Sequence, residues 1–484
     1  MNTESNATLG KILAGKKRMR IALAVLAPLC VVVVTLAVVL SLRGALAATV
    51  TGTPSTVNSH VENFTFNPSA THTYQSDVNL AALANGPYSH FPGFTLQSSG
   101  SSPTNHVFTC GDPEVPQPSE KPSGTTLTYG FGGTYTQAKN RKDFPSALAY
   151  SLMLPNYGAK LTLSEFNELM GLTGTNAVTA DQRTILMHAA AMFYEFKDRY
   201  PNPPSGTSWS TTNDTLWPKK LPLIPGSATL YDIGFADMFY GWSWAVGMED
   251  DHTTFLNWFY TILARIEALM TAYNSTASGQ STSSLWMSYD DATKRLTFGY
   301  TGYQPPTSSS YPTLSWTITG GGTVTVQKNG AGASITSGSA VDITAYYTVN
   351  YTGSGSVAFT LADDRNFLQG GSIEGYLLQT TTLLNINTYP DPVMRAKMLA
   401  FFSPLTSIPY QRMLIGHSKW VKLRCGLTVT GTTPEPATAA IQVNKTVNKN
   451  GSPTDPAFTF NIVRVTDETG STAVTGTGAY SSSQ

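Results

Sequence analysis

Apolar positions along the chain fall into three regimes. From Ile21 to Leu42 they run unbroken and without charge. Between residues 144 and 273 they recur at helical spacing, and beyond Tyr273 they alternate with a period of two. The helical regime predicts helices over residues 144–154, 161–170, 180–200 and 252–273. The third opens on a capping box, Thr179-Ala180-Asp181-Gln182, and lays Ile185, Ala189, Met192, Phe193 and Phe196 along one stripe. Upstream, residues 48–102 read as loop-rich. A short strand over Asn105–Cys110 then precedes a proline-rich loop, and a second strand is predicted over residues 125–131.

The alternating regime predicts hairpins. Residues 285–289 and 295–300 pair around Asp290-Asp291, residues 314–318 and 323–327 flank Gly320-Gly321-Gly322, and residues 341–351 and 356–361 meet across Gly353-Ser354-Gly355. With later strands at residues 375–384 and 420–430, the pattern is that of an antiparallel sandwich. Thr432-Thr433-Pro434-Glu435-Pro436 reads as a linker, after which residues 440–447 and 457–465 begin another β-module. Two strands cannot bury a core alone, so the sequence to Gln484 is expected to be a truncated frame or a piece of a longer surface protein.

Composition moves this picture outside the cell. Of 484 residues only 12% are charged, about half the roughly 25% of an ordinary globular protein. Thr, Ser and Gly take their place, as in secreted, turn-rich β-proteins. Lys+Arg and Asp+Glu both number 30, so no basic surplus recruits nucleic acid, and nucleic-acid binding is excluded as a function class. Three cysteines cannot staple a chain of this length.

The uncharged run explains the export. Lys11, Lys16, Lys17, Arg18 and Arg20 precede it, and Arg43-Gly44-Ala45-Leu46-Ala47-Ala48 follows it. That is the layout of a secretory signal peptide with cleavage after Ala47. The alternative is an uncleaved membrane anchor, since the run is long enough to span a bilayer. Either way the remainder is exported to the cell surface or cell wall. The first 47 residues hold six of the 30 basic residues and one of the 30 acids, so the rest carries 24 against 29, a mild negative surplus that suits solubility.

Candidate chemistry centres on Cys110, which closes a strand beside the prolines. Phe108-Thr109-Cys110, the helix after residue 144 and the capped helix from Thr179 together resemble the thioester domains of Gram-positive surface adhesins. The resemblance covers residues 88–300 by order of elements. It implies an internal thioester, formed when the cysteine sulfur displaces ammonia from a glutamine in a Thr-Gln-x-Ala-hydrophobic-Trp motif. A lysine of a host protein then attacks that stored electrophile, a single-turnover acyl transfer rather than enzymatic turnover. Setting the motif's Ala-hydrophobic-Trp on Ala191-Met192-Phe193 puts the glutamine position on Ala189, which has no carboxamide. Gln182, on the same helix, is better explained by its capping role. Gln137, in Tyr135-Thr136-Gln137-Ala138, has the right letters but lies in a loop. The plain alternative is that Cys110 is a buried small hydrophobe.

Lys445 is the second candidate. Ile441-Gln442-Val443-Asn444-Lys445-Thr446-Val447 followed by Ala457-Phe458-Thr459-Phe460-Asn461-Ile462 resembles the start of a pilin-type isopeptide domain. The resemblance implies a lysine–asparagine cross-link whose asparagine and catalytic acid would lie beyond Gln484; the alternative is a solvated strand lysine. Glu249-Asp250-Asp251-His252 reads as a helix start, where acids complement the dipole, and not as a metal site. Trp242-Ser243-Trp244 reads as core. No paired carboxylates or glycine-elbow serine are apparent, which disfavours an exported hydrolase built on Cys110 and a histidine.

The expected architecture is therefore an α+β thioester-domain-like head over residues 48–310, an all-β sandwich over 311–433, and an incomplete isopeptide-type β-domain over 434–484, behind a signal segment at 1–47. The expected function is a cell-surface adhesin or pilus-associated protein, its partners a host surface protein and other pilus subunits, with no cofactor or metal. The second reading is a structural stalk or minor pilin subunit with an inactive head.

Overall fold

The computed structural model describes residues 49–60, 64–83, 90–111, 115–131, 139–140, 144–153, 161–222, 230, 234–353, 355–380 and 382–430. The apolar run at 21–42, Gln137 and Lys445 lie outside them. The described residues belong to one compact unit, and the whole of the expected isopeptide-type domain at 434–484 lies outside them.

The chain enters on β1 (Thr49–Thr51) and β2 (Thr53–His60). Next come β3 (His72–Ala82), β4 (His90–Ser98), β5 (Asn105–Cys110), β6 (Thr128–Gly130) and β7 (Lys139–Asn140). The helices follow: α1 (Pro145–Met153), α2 (Leu163–Met170), α3 (Ala180–Arg199), α4 (Phe235–Ala245) and α5 (His252–Ser275). Then come β8 (Ser283–Asp290), β9 (Arg295–Gly302), β10 (Thr313–Thr319), β11 (Thr323–Lys328), β12 (Ser334–Ile335), β13 (Ser339–Ala340), β14 (Tyr347–Thr352) and β15 (Ser356–Leu368). The chain continues through β16 (Glu374–Thr380), β17 (Leu383–Asn385), α6 (Pro392–Phe402), β18 (Ser407–Pro409), β19 (Met413–His417) and β20 (Trp420–Thr430).

These elements make a two-sheet sandwich, a small barrel and a helical layer. One sandwich sheet runs β1-β8-β9-β14-β11-β12 and the other β13-β10-β15-β20-β2. The barrel runs β19-β5-β4-β3-β6-β16 and closes through a β16–β19 pairing, with β7 added on β16. Strand alternation supplies the sandwich core: Leu285, Met287 and Tyr289 of β8 face Val357, Phe359 and Leu361 of β15 and Leu423, Cys425 and Leu427 of β20, all buried. That core is continuous with the helices, whereas the barrel interior and α6 form a second one.

Three expectations need correction. The sandwich is not confined to residues 311–433, because β1, β2, β8 and β9 belong to it while β16 and β19 close the barrel. The glycine turns at 320–322 and 353–355 do not make hairpins. β10 pairs with β15 and β11 with β14, so both turns are arches that carry the chain from one sheet to the other. The arches stack backbone on backbone: a Cβ on Gly355 would lie 1.6 Å from the Thr319 carbonyl oxygen, which only glycine tolerates. Residues 48–102 are not loop-rich but contain β1–β4. Two register shifts in β3 against β4, at Tyr74/Ser76 and Asn79/Ala81, break the period-two pattern that would have revealed them.

Helix α3 is the axis of the helical layer. Its capping box forms, with Thr179 Oγ1 accepting from the Gln182 amide at 3.2 Å and Gln182 Oε1 from the Thr179 amide at 2.9 Å. Every residue from Arg183 to Phe196 is buried, so it is covered on all sides. It ends at Tyr200, before Pro201, where a proline cannot continue the ladder. Buried Arg183 donates to the carbonyls of Leu152 and Leu161 at 2.9 and 2.7 Å, tying α3 to the end of α1 and the start of α2.

The helices are fastened to the sandwich through Glu165 of α2. Its Oε1 lies 3.0 Å from His60 Nε2 and accepts from Asn366 Nδ2 at 3.1 Å, and Oε2 accepts from the Thr162 amide at 2.9 Å. Burial alone would push this carboxyl up, but the hydrogen bonds from His60, Thr162 and Asn366 prevail and hold it at about 2.

Candidate functional site

Strand β5 ends between the barrel and α3, and its alternation sorts its last residues between them. Cys110 pairs with Met413 of β19, and both side chains belong to the barrel core, alongside Phe108 and Tyr129. The thiol is buried, 7% exposed, and Cys110 is not in a disulfide. The Cys110 carbonyl accepts from the Tyr150 hydroxyl of α1 at 2.9 Å. Gly111 follows, its amide donating to the Arg412 carbonyl at 2.7 Å. A Cβ there would meet Leu377 Cδ1 at 2.8 Å, so glycine permits the close approach that ends the strand.

Thr109 takes the opposite face. Its Oγ1 lies 3.3 Å from Nδ1 of His188 on α3. The imidazole is packed edge-on against Phe91, Trp242 and Tyr150, with centroids 4.8, 5.2 and 6.4 Å away. Burial pushes this ring down to about 3. It is therefore neutral at ordinary pH, and it meets Thr109 on the face of β5 opposite the Cys110 thiol.

Thus α3 passes the end of β5 at His188, the residue before Ala189. Position 189 carries a fully buried Ala in the core shared by helices and sandwich, while Cys110 belongs to the barrel core. Gln182 is committed to its cap, with Nε2 at 3.7 Å from Met248 Sδ.

Sequence reasoning missed Gln411. It is buried two residues before Met413. Its Nε2 donates to the Val115 carbonyl at 2.9 Å, while its Oε1 has no hydrogen-bond partner. No spacing signal linked it to Cys110, because the pairing of β5 with β19 joins residues some 300 apart.

The other clusters resolve structurally. Asp251 caps α5, its Oδ1 accepting from the Thr254 amide at 3.3 Å, as expected for an acidic helix start. Trp242 packs on the core, but Trp244 is 43% exposed, so only the first of the pair is core. Ser243 Oγ lies 3.3 Å from His252 Nδ1, a pairing not foreseen, yet its proton goes to the Tyr240 carbonyl at 2.9 Å and the serine is buried. Among the described residues, no group of three His, Cys, Asp or Glu side chains is placed to hold a metal ion, and no helix is long and apolar enough to cross a membrane.

Comparison with family models, with curated proteins and with solved structures finds no match for the chain.

Proposed function

We propose that this is an exported surface-attachment protein of the thioester-adhesin type, whose head holds its partner without a covalent bond. The observation that carries this reading is the contact of Thr109 with His188. It sets the strand ending in Cys110 beside helix α3 next to Ala189, the residue that the resemblance would put in the place of the acyl-donating glutamine. The export signal and the sparse charge support a surface location. Attachment to a host or neighbouring surface follows from the resemblance, and the chain turns over no substrate. The second reading, a structural stalk or minor pilin subunit with a chemically inactive head, draws on the same alanine.

Two measurements test this. The intact mass of the exported chain, before and after methylamine, is expected to match the plain sequence and stay unchanged. A mass one ammonia short that methylamine reverses, and that Cys110→Ala abolishes, would restore the covalent mechanism, with Gln411 the first donor to replace. Beads coated with the chain are expected to adhere to epithelial or bacterial cells. Adhesion no greater than for albumin-coated beads would leave the stalk reading.

A further inference from the structure

A cleft of about 480 Å³ opens at one end of the sandwich, far along the chain from Cys110, within the roughly 300–1,000 Å³ usual for small-ligand sites. Its floor is Arg365, aimed by the irregularity in β15 between Asp363 and Phe367. The guanidinium is held rigidly. Nη2 donates to Asp363 Oδ2 at 2.7 Å and to the Tyr300 hydroxyl at 3.0 Å, and Nη1 donates to the Pro306 carbonyl of the overlying loop. At the rim, Lys328 Nζ donates to Asp342 Oδ2 at 2.9 Å. Tyr311 forms a wall, and residues 307–309 add three hydroxyls.

The charges settle the ligand class. Each cation at the cleft is already bonded to a carboxylate, so neither an anion nor a cation finds an uncompensated partner. What remains is an aromatic and proline surface beside fixed donors, acceptors and hydroxyls. That combination suits a molecule with apolar C–H faces and a girdle of hydroxyls. We propose that this cleft binds a neutral saccharide, with Tyr311 against a sugar face and the Lys328–Asp342 pair and Arg365 hydrogen-bonding its hydroxyls. The proposal gives the attachment reading a ligand class and rests on it for its biological meaning.

The test is retention of the exported chain on immobilised neutral di- to tetrasaccharides containing glucose, galactose, mannose or N-acetylhexosamine, with sialylated and sulfated glycans and a proline-rich peptide alongside. At least one neutral glycan is expected to retain the chain, with affinity falling about tenfold or more in Tyr311→Ala and in Lys328→Met. Lys328 is only partly buried, its side chain 44% exposed, so that second variant reports on the cleft even if the first unfolds. Absence of neutral-glycan binding, binding confined to acidic glycans or the peptide, or affinity unchanged in Lys328→Met would each overturn the proposal. Coated beads separate the two ideas. Adhesion to cells without glycan retention sinks the saccharide site alone, and glycan retention without adhesion sinks the attachment reading alone.

Discussion

Thr109 and His188 meet between β5 and α3, Oγ1 to Nδ1 at 3.3 Å, and by strand alternation this contact turns Cys110 away from the helix that carries Ala189. Restoring a glutamine at 189 is therefore not expected to restore a thioester. Ala189→Gln should retain its plain mass and lose stability by about 1–3 kcal/mol, from overpacking a fully buried site. Intact mass and a urea titration check both halves. Loss of one ammonia in the variant alone would show that the thiol reaches the helix after all.

Acid should destabilise the unit in a defined window. Burial pushes His188 down to about 3 and lowers His106. His72 is lowered by burial and by the nearby His106. Groups held below their unfolded value of 6.5 contribute stability that is complete above that pH and lost as pH falls. The decline is expected to start near 6.5, at up to about 1.4 kcal/mol per pH unit for each histidine. Glu165, held at about 2 against 4.5, adds a further loss below 4.5. Denaturant midpoints at pH 7.5, 5.5 and 4 measure the slope, and His188→Gln should flatten it. An unchanged slope in that variant would remove His188 from the account.

Two glycines should respond in opposite directions to alanine. Gly52 carries the chain from β1 in one sheet to β2 in the other, and a Cβ there would lie 2.6 Å from Cys425 Sγ and 3.0 Å from the Gly426 carbonyl oxygen. Gly241, inside α4, has open space around it. Gly52→Ala is expected to cost about 1–3 kcal/mol, and Gly241→Ala to stabilise by up to about 1 kcal/mol. Thermal midpoints moving the same way in both would contradict the assignment.

The buried pair Asp363–Arg365 predicts a non-additive result. Asp363 is fully buried and Arg365 nearly so, at 2.7 Å. Arg365→Met strands the carboxylate and should cost about 3–5 kcal/mol, whereas the double variant Asp363→Leu/Arg365→Met should recover much of that. A double variant less stable than the single one, in urea unfolding, would refute this.

Much of the local structure was legible in the sequence. The strand over Asn105–Cys110, α1–α3, α5, the hairpin of β8 with β9, and β20 follow from periodicity and from caps such as Thr179 with Gln182. Sheet membership was not. Glycine runs announce a reversal of the chain, yet a hairpin and an inter-sheet arch use the same residues, and only the partners of β10 and β14 distinguish them. Helices α4 and α6 were missed because aromatics and Gly241 blur one and a short run behind Asp391-Pro392 hides the other. For the site, Cys110 and position 189 were visible as letters. The face on which the thiol lies and Gln411 depend on a pairing across some 300 residues, and the cleft over Arg365 on strands and loops brought together between residues 300 and 365.

The pairing of β2 with β20 has a mechanical consequence. Thr53 lies opposite Gly426 and His60 opposite Trp420, so the start of β2 and the end of β20 lie side by side at one end of the same sheet. Tension applied at those two ends would part the strands bond by bond, as a zip opens, instead of shearing all their bonds at once. The helices and the barrel branch off between these strands, outside the line of force. What lies between them in sequence would be loaded only once that seam has opened.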